Sequence, residues 1–161
     1  MGKRNDAKKL ILEQTEHLKK IVEIGCNNPS RRISEDIIGV DVFYKHKPNI
    51  VADIEFSLPF KNCSLEAIVG IDIVEHIDDI DKFLEECLRV LKDNGLMMFA
   101  IPRADIFGYE IKNIKRYGHK HMWTKDEWHE IVDSYPIKEI ICKHLAGKWF
   151  FMFSGKKWQF S

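Results

Sequence analysis

Neither sign of charge is in excess in this chain. Lysine and arginine together number 25, as do aspartate and glutamate, so no overall field draws it to nucleic acid or an anionic membrane. No apolar run approaches the roughly 20 residues that cross a bilayer, and the amino-terminal MGKRNDAKKL lacks the apolar stretch of a secretion signal. The four cysteines, Cys26, Cys63, Cys87 and Cys142, form no CxxC pair. Free thiols in a reducing cytoplasm are therefore the expectation. A GxGxxG fingerprint is missing too, and with it the pyrophosphate cradle of a dinucleotide enzyme. Repeats, low-complexity tracts and linker-like stretches are absent, so residues 1–161 read as one domain, long enough to bury a full core.

What is present is alternation. The spacing of Ala7, Leu10, Ile11 and Leu18 predicts a helix over 6–19, with Asp6 as its N-cap. Short apolar runs predict strands at 21–25, 37–41, 50–53 and 67–71. A helix follows over 79–92, with Ile80, Phe83, Leu84, Cys87, Leu88 and Leu91 on one face. Asp93-Asn94-Gly95 is expected to end it, glycine being the usual left-handed residue past a helix end. A fifth strand spans 96–101. Thr124 with Glu127 three residues on forms a capping-box pattern for a helix over 124–134. Two closing strands, 137–144 and 149–154, are joined by an Ala-Gly-Lys turn. The pattern predicts an α/β three-layer sandwich, its seven-stranded sheet mostly parallel and closed by a carboxyl-terminal antiparallel hairpin. Residues 26–36 are short for a right-handed crossover, which needs about 10–12. With Pro29 inside them, they are expected to form no more than a turn or two of helix.

Polar groups recur where the first four strands end. In an open parallel sheet, ligands bind beyond the carboxyl ends of the strands. Gly25 follows the first strand, where a sharp turn lets a ligand approach closely, and Asn27 and Asn28 tolerate left-handed backbone. Asp41 ends the second strand and can accept both hydroxyls of a ribose. Asp53 ends the third, beside the apolar Ile54, which suits an adenine with its amino group. Carboxylates in this arrangement favour a ligand of hydroxyls and amines over one of phosphates. His76 follows the fourth strand and is a weak candidate for a base, with packing beneath the loop as the favoured role. Residues 103–125 interleave Phe107, Tyr109, Tyr117 and Trp123 with Arg103, Lys112, Lys115, Arg116 and Lys120. Tyr109, Arg116, Tyr117 and His119 there are candidate substrate contacts. His119, His121 and His129 lack a nearby cysteine or an HExxH spacing, so no metal is expected.

Taken together, IVEIGC, GVD, VADIE, LEAIVGIDIVEHI and LRVLKDNGLMMFAIP resemble the class I S-adenosylmethionine-dependent methyltransferases, from about residue 21 to 102. The resemblance implies a Rossmann-like fold with S-adenosylmethionine as cofactor. It places the methionine part at Glu23, Gly25, Cys26 and Asn27, the ribose at Asp41 with Val42, and adenine at Asp53 with Ile54. Backbone at Gly70 and Ile71 would meet the methionine amino group. The family's usual GCGxG reads GCNNP here. The implied activity is methyl transfer to an unidentified acceptor, a displacement that needs alignment more than a strong base. The alternative is a non-catalytic methyltransferase-fold protein that binds cofactor or stabilises a partner, as a homodimer or with a second subunit.

Overall fold

The computed structural model describes residues 3–27, 29–107, 118–145 and 149–158. Helix α1 (Lys3–Thr15) precedes β1 (Ile21–Ile24), β2 (Ile38–Asp41), β3 (Ile50–Val51) and β4 (Leu65–Ile71). Helix α2 (Ile80–Val90), β5 (Leu91–Pro102), the single turn α3 (Ala104–Phe107), α4 (Lys125–Asp133), β6 (Ile137–His144) and β7 (Phe150–Lys157) complete the order. The seven strands lie in the sequence β3-β2-β1-β4-β5-β7-β6. The first five are parallel, and β7 runs antiparallel between β5 and β6.

Strand periodicity divides the core. Along β4, β5 and β7 successive side chains point to opposite faces. Ile68, Met97, Phe99, Ile101, Phe151 and Phe153 join Phe83, Leu84, Cys87 and Trp128 on one face. Ala67, Val69, Met98, Ala100 and Met152 meet Ala7 and Ile11 of α1 on the other. The aromatic residues therefore fill one layer, beneath α2 and α4, while small residues let α1 lie close on the opposite side. Trp128 is the largest fully buried side chain, 5.0 Å from the Trp123 ring and 5.9 Å from Phe153. Trp128→Ala is expected to cost about 3–5 kcal/mol, read from urea unfolding; a cost below about 1 kcal/mol would mean that this layer does not organise the fold. Among the described residues no helix is long and apolar enough to cross a membrane.

Local chemistry sets the boundaries. The helix from 79 starts as expected, since the Asp79 side chain accepts from the Lys82 N–H. Thr124 and Glu127 form both bonds of a capping box. The first crossover is a single 3-10 turn, Pro29–Arg31. Several ends differ from the sequence expectation: α1 begins at Lys3 with Asp6 inside its first turn rather than as its cap, β4 begins at Leu65, β5 at Leu91, and β7 runs on to Lys157. Helix α1 stops at Thr15 rather than 19, because the Leu18 N–H bonds to the Thr15 carbonyl and turns the chain. Strand β3 stops at Val51, because Asp53 starts a turn, its Oδ1 accepting from Glu55 N and its carbonyl from Phe56 N. Helix α2 ends at Val90 with an extended Leu91, and 93–95 lie within an irregularity of β5. There Asn94 takes the left-handed conformation (φ 61°). Gly95 serves a different need, since a Cβ would sit 2.7 Å from the Lys92 carbonyl. The Ala-Gly-Lys turn lies outside the described residues.

Candidate functional site

The carboxyl ends of the parallel strands open into two adjoining cavities. One, of about 350 Å³, is lined by Gly25, Asn27, Asp41, Val42, Asp53 and Ile54, together with Phe43, His46 and Ile73. The other, of about 510 Å³, lies toward α1 and β5, with Arg4, Arg31, Ile71, His119 and Trp149 in its wall. Gly25, Asn27, Asp72 and His76 line both.

Gly25 holds φ at +61°, and a Cβ there would meet the Ile73 side chain at 2.6 Å. Left-handed backbone costs a residue with a Cβ about 1–2 kcal/mol, and Ile73 would have to leave its place in the wall. Gly25→Ala is thus expected to lower both the melting temperature and cofactor affinity. A thermal melt followed by calorimetry checks this; a variant unchanged in both would mean that the turn is not constrained. Asn27 is also left-handed (φ 56°), and its N–H donates to Asp41 Oδ2 at 2.9 Å. Asp41 Oδ1 accepts from the Phe43 N–H at 2.8 Å and lies 3.1 Å from His46 Nδ1. This buried carboxylate thus ties the loop after β1 to the segment after β2. A carboxylate offers about four lone-pair sites, so acceptor capacity remains beyond these three contacts.

Some residues singled out in the sequence stand behind the walls. Glu23 is fully buried, and its Oε2 accepts from the Ile33 N–H at 2.9 Å, bracing the first crossover. Its Oε1 has no hydrogen-bond partner among the described residues, and burial pushes the carboxyl up to about 7. The Cys26 thiol is buried and pushed up to about 11 by burial and then by Asp41. It is no ready nucleophile, since the thiolate is the reactive form. Gly70 packs against Ile73 and Ile24. Glu23, Cys26 and Gly70 line neither cavity, whereas Ile71 lines the larger one. Tyr109, Arg116 and Tyr117 lie outside the described residues.

Several groups in the walls escaped the sequence reading. Asp72 takes a left-handed conformation (φ 63°) and faces Arg31 at 3.7 Å. Arg4 reaches from α1 to the Ile71 carbonyl at 3.1 Å. Phe43 and His46 come from the segment after β2. Beneath the junction lies Glu75, only 1% exposed; burial and then the neighbouring Asp72 carboxylate push its carboxyl well above the usual range. The segment after 118 is fastened over it, with the Lys120 and His121 N–H groups both donating to the Glu75 carbonyl, at 2.8 and 3.2 Å. His119 is thereby brought against His76, ring centroids 5.0 Å apart. Burial and then His76 hold its imidazole below the ordinary range.

Comparison with known proteins agrees with this architecture. A family model described as a methyltransferase domain matches residues 22–99. The ubiquinone biosynthesis O-methyltransferase of Pelagibacter ubique is 29% identical over 107 residues, 56% of this chain and 45% of that protein. The mitochondrial ubiquinone biosynthesis O-methyltransferase of Bos taurus is 26% identical over 136 residues, 66% of this chain and 36% of that protein. The chain thus spans less than half the length of these curated relatives. Among solved structures, an S-adenosylmethionine-dependent methyltransferase from Thermotoga maritima superposes with a TM-score of 0.71 at 18% identity, over 96% of this chain and 91% of the other. A Haloferax volcanii methyltransferase in complex with the Trm112 methyltransferase activator gives 0.71 at 14% identity, over 98% and 95%. Sequence and architecture point the same way: residues 22–99 match a methyltransferase-domain model, and the fold is that of the class I S-adenosylmethionine-dependent methyltransferases, whose cofactor is S-adenosylmethionine.

Proposed function

We propose that the protein, acting as one domain over residues 1–161, moves the methyl group of S-adenosylmethionine to an acceptor hydroxyl held in the larger cavity. The observation that carries this reading is that the two cavities meet at Gly25, Asn27, Asp72 and His76. The smaller one fits a nucleoside. It sets the carboxylates of Asp41 and Asp53 around the apolar Val42, Ile54 and Ile73, a chemistry matched to ribose hydroxyls, an amino group and a flat ring. Asp41 and Val42 would hold the ribose, Asp53 and Ile54 the adenine, and Gly25, Asn27 and Ile71 the methionine part. When bound, the cofactor supplies an electrophilic methyl on a sulfonium.

The chain's own residues supply alignment. Asp41 orders the loop that carries Gly25 and Asn27, and Ile73 and Ile77 help to keep water from the smaller cavity. In the larger cavity Arg4 and Arg31 offer positive charge to an acceptor carrying, or developing, negative charge on oxygen. Holding two reactants at the junction of two pockets removes much of the entropy barrier to displacement. The choice of a hydroxyl follows these cations and the O-methyltransferases among the relatives. Methyl-labelled S-adenosylmethionine incubated with a panel of phenols and hydroxylated aromatic acids tests it. Label in a methyl ether is the expected result, and transfer confined to amine or thiol acceptors would replace it.

The second reading is a cofactor-binding subunit that works with a partner. Val51 of the edge strand β3 is 52% exposed, and Phe43 and Tyr44 after β2 and Phe56 after β3 are exposed as well. An edge strand with an apolar surround is a template for association. Cofactor binding without transfer to any acceptor would favour this reading.

A further inference from the structure

We propose that Glu75, His76 and His119 form a site for a divalent metal ion, its open positions facing the larger cavity. The first observation is an unpaid electrostatic demand. Glu75 is 1% exposed, and no side-chain donor among the described residues satisfies its carboxylate, which has the Asp72 carboxylate beside it. Burying an unpartnered carboxylate is costly. The second is what surrounds it. His76 Nε2 lies 3.8 Å and His119 Nε2 3.9 Å from Glu75 Oε1. These separations are too long for hydrogen bonds. One ligand atom from each residue lies within 4.8 Å of the others. Neighbouring ligands at zinc bond lengths stand about 3.3 Å apart, so small side-chain shifts would close the site around an ion. The third is orientation. His76 Nδ1 lies 3.0 Å from the Gly118 carbonyl and His119 Nδ1 3.1 Å from the Met122 sulfur. Outer contacts of this kind fix the ring nitrogen that faces a metal.

Two imidazoles and one carboxylate on one side of an ion is the donor set of a catalytic rather than a structural site, because positions stay open for water or substrate. His76 and His119 both line the 510 Å³ cavity, and the Asp72 carboxylate beside Glu75 adds negative potential that a cation relieves. Resting on the methyltransferase reading, the ion would acidify an acceptor hydroxyl. The proton passes to water, the oxygen lone pair forms the C–O bond, and the C–S bond breaks with its electrons left on the thioether sulfur. Sequence spacing hid the site, because Glu75 and His76 come from the turn after β4 while His119 comes from beyond α3.

Calorimetric titration of metal-stripped protein with Zn²⁺ and, separately, Mn²⁺ tests binding with no cofactor present. One ion per chain is expected, weakened at least about tenfold in Glu75→Gln and in His119→Asn and unchanged in His121→Asn, whose imidazole stacks on Trp123 outside the cluster. Binding of neither ion by the unaltered protein, or unchanged binding in Glu75→Gln or His119→Asn, would overturn the site. Electron spin-echo spectra of Mn²⁺-loaded unaltered protein should show imidazole nitrogen coupling. Its absence overturns the site whatever the variants do. S-adenosylhomocysteine affinity, measured separately, shows whether each variant is folded. Failure of the unaltered protein to bind that compound would count against the methyltransferase reading and leave the metal result standing.

Discussion

Asp41→Ala is expected to weaken S-adenosylhomocysteine binding about a hundredfold. Removing a charge-assisted acceptor from a ribose hydroxyl accounts for about 1.5–3 kcal/mol, or roughly tenfold to a hundredfold. The structure pushes the expectation to the upper end, because the same carboxylate holds the Asn27 and Phe43 N–H groups. Without it the left-handed Asn27 loses its tether, and the loop must be ordered by the ligand. Calorimetry on the folded variant measures this. Affinity within twofold of the unaltered protein would show that the ribose is not held at the end of β2.

The pH dependence of stability should carry the mark of Glu23. Its carboxyl is raised from 4.5 to about 7 in the folded protein, so between those values the native state binds more protons than the unfolded chain. Stability from this group is therefore fully present below about pH 4.5 and is lost as pH rises through about 7. The displacement corresponds to about 3 kcal/mol. Glu23→Gln retains a carbonyl oxygen for the Ile33 N–H and has no charge to bury. Relative to the unaltered protein it should gain about 3 kcal/mol in unfolding free energy between pH 5 and pH 8, read from urea titrations. Parallel stability curves for the two proteins across that range would show that Glu23 does not titrate in a buried setting.

The sheet was legible because each parallel strand carries a short, mostly apolar run, and strands buried on both faces read as near-continuous apolar segments. Asp41 stood out because it ends its strand at the carboxyl rim of the sheet, whereas Asp53 lies just past the end of β3, in a turn that the apolar run before it does not reveal. The helix ends were less legible. Nothing local marks Thr15 as the end of α1, and the Asn94 conformation depends on how β5 pairs with β4. Burial was the hardest property to read. Glutamate is seldom fully buried, yet Glu23 and Glu75 both are, and only the fold reveals which polar groups they lack. Arg4 and His119, far apart in the sequence, both line the larger cavity, a meeting that no local pattern encodes.

The smaller cavity is the proposed seat of the cofactor, and backbone amide shifts on titration with S-adenosylhomocysteine test that directly. The predicted result is saturable change at Gly25, Asn27, Val42, Asp53 and Ile54, with little at β6 and the outer face of α4. Shifts absent from the ends of β1, β2 and β3, or gathered around β6 and β7 instead, would contradict it.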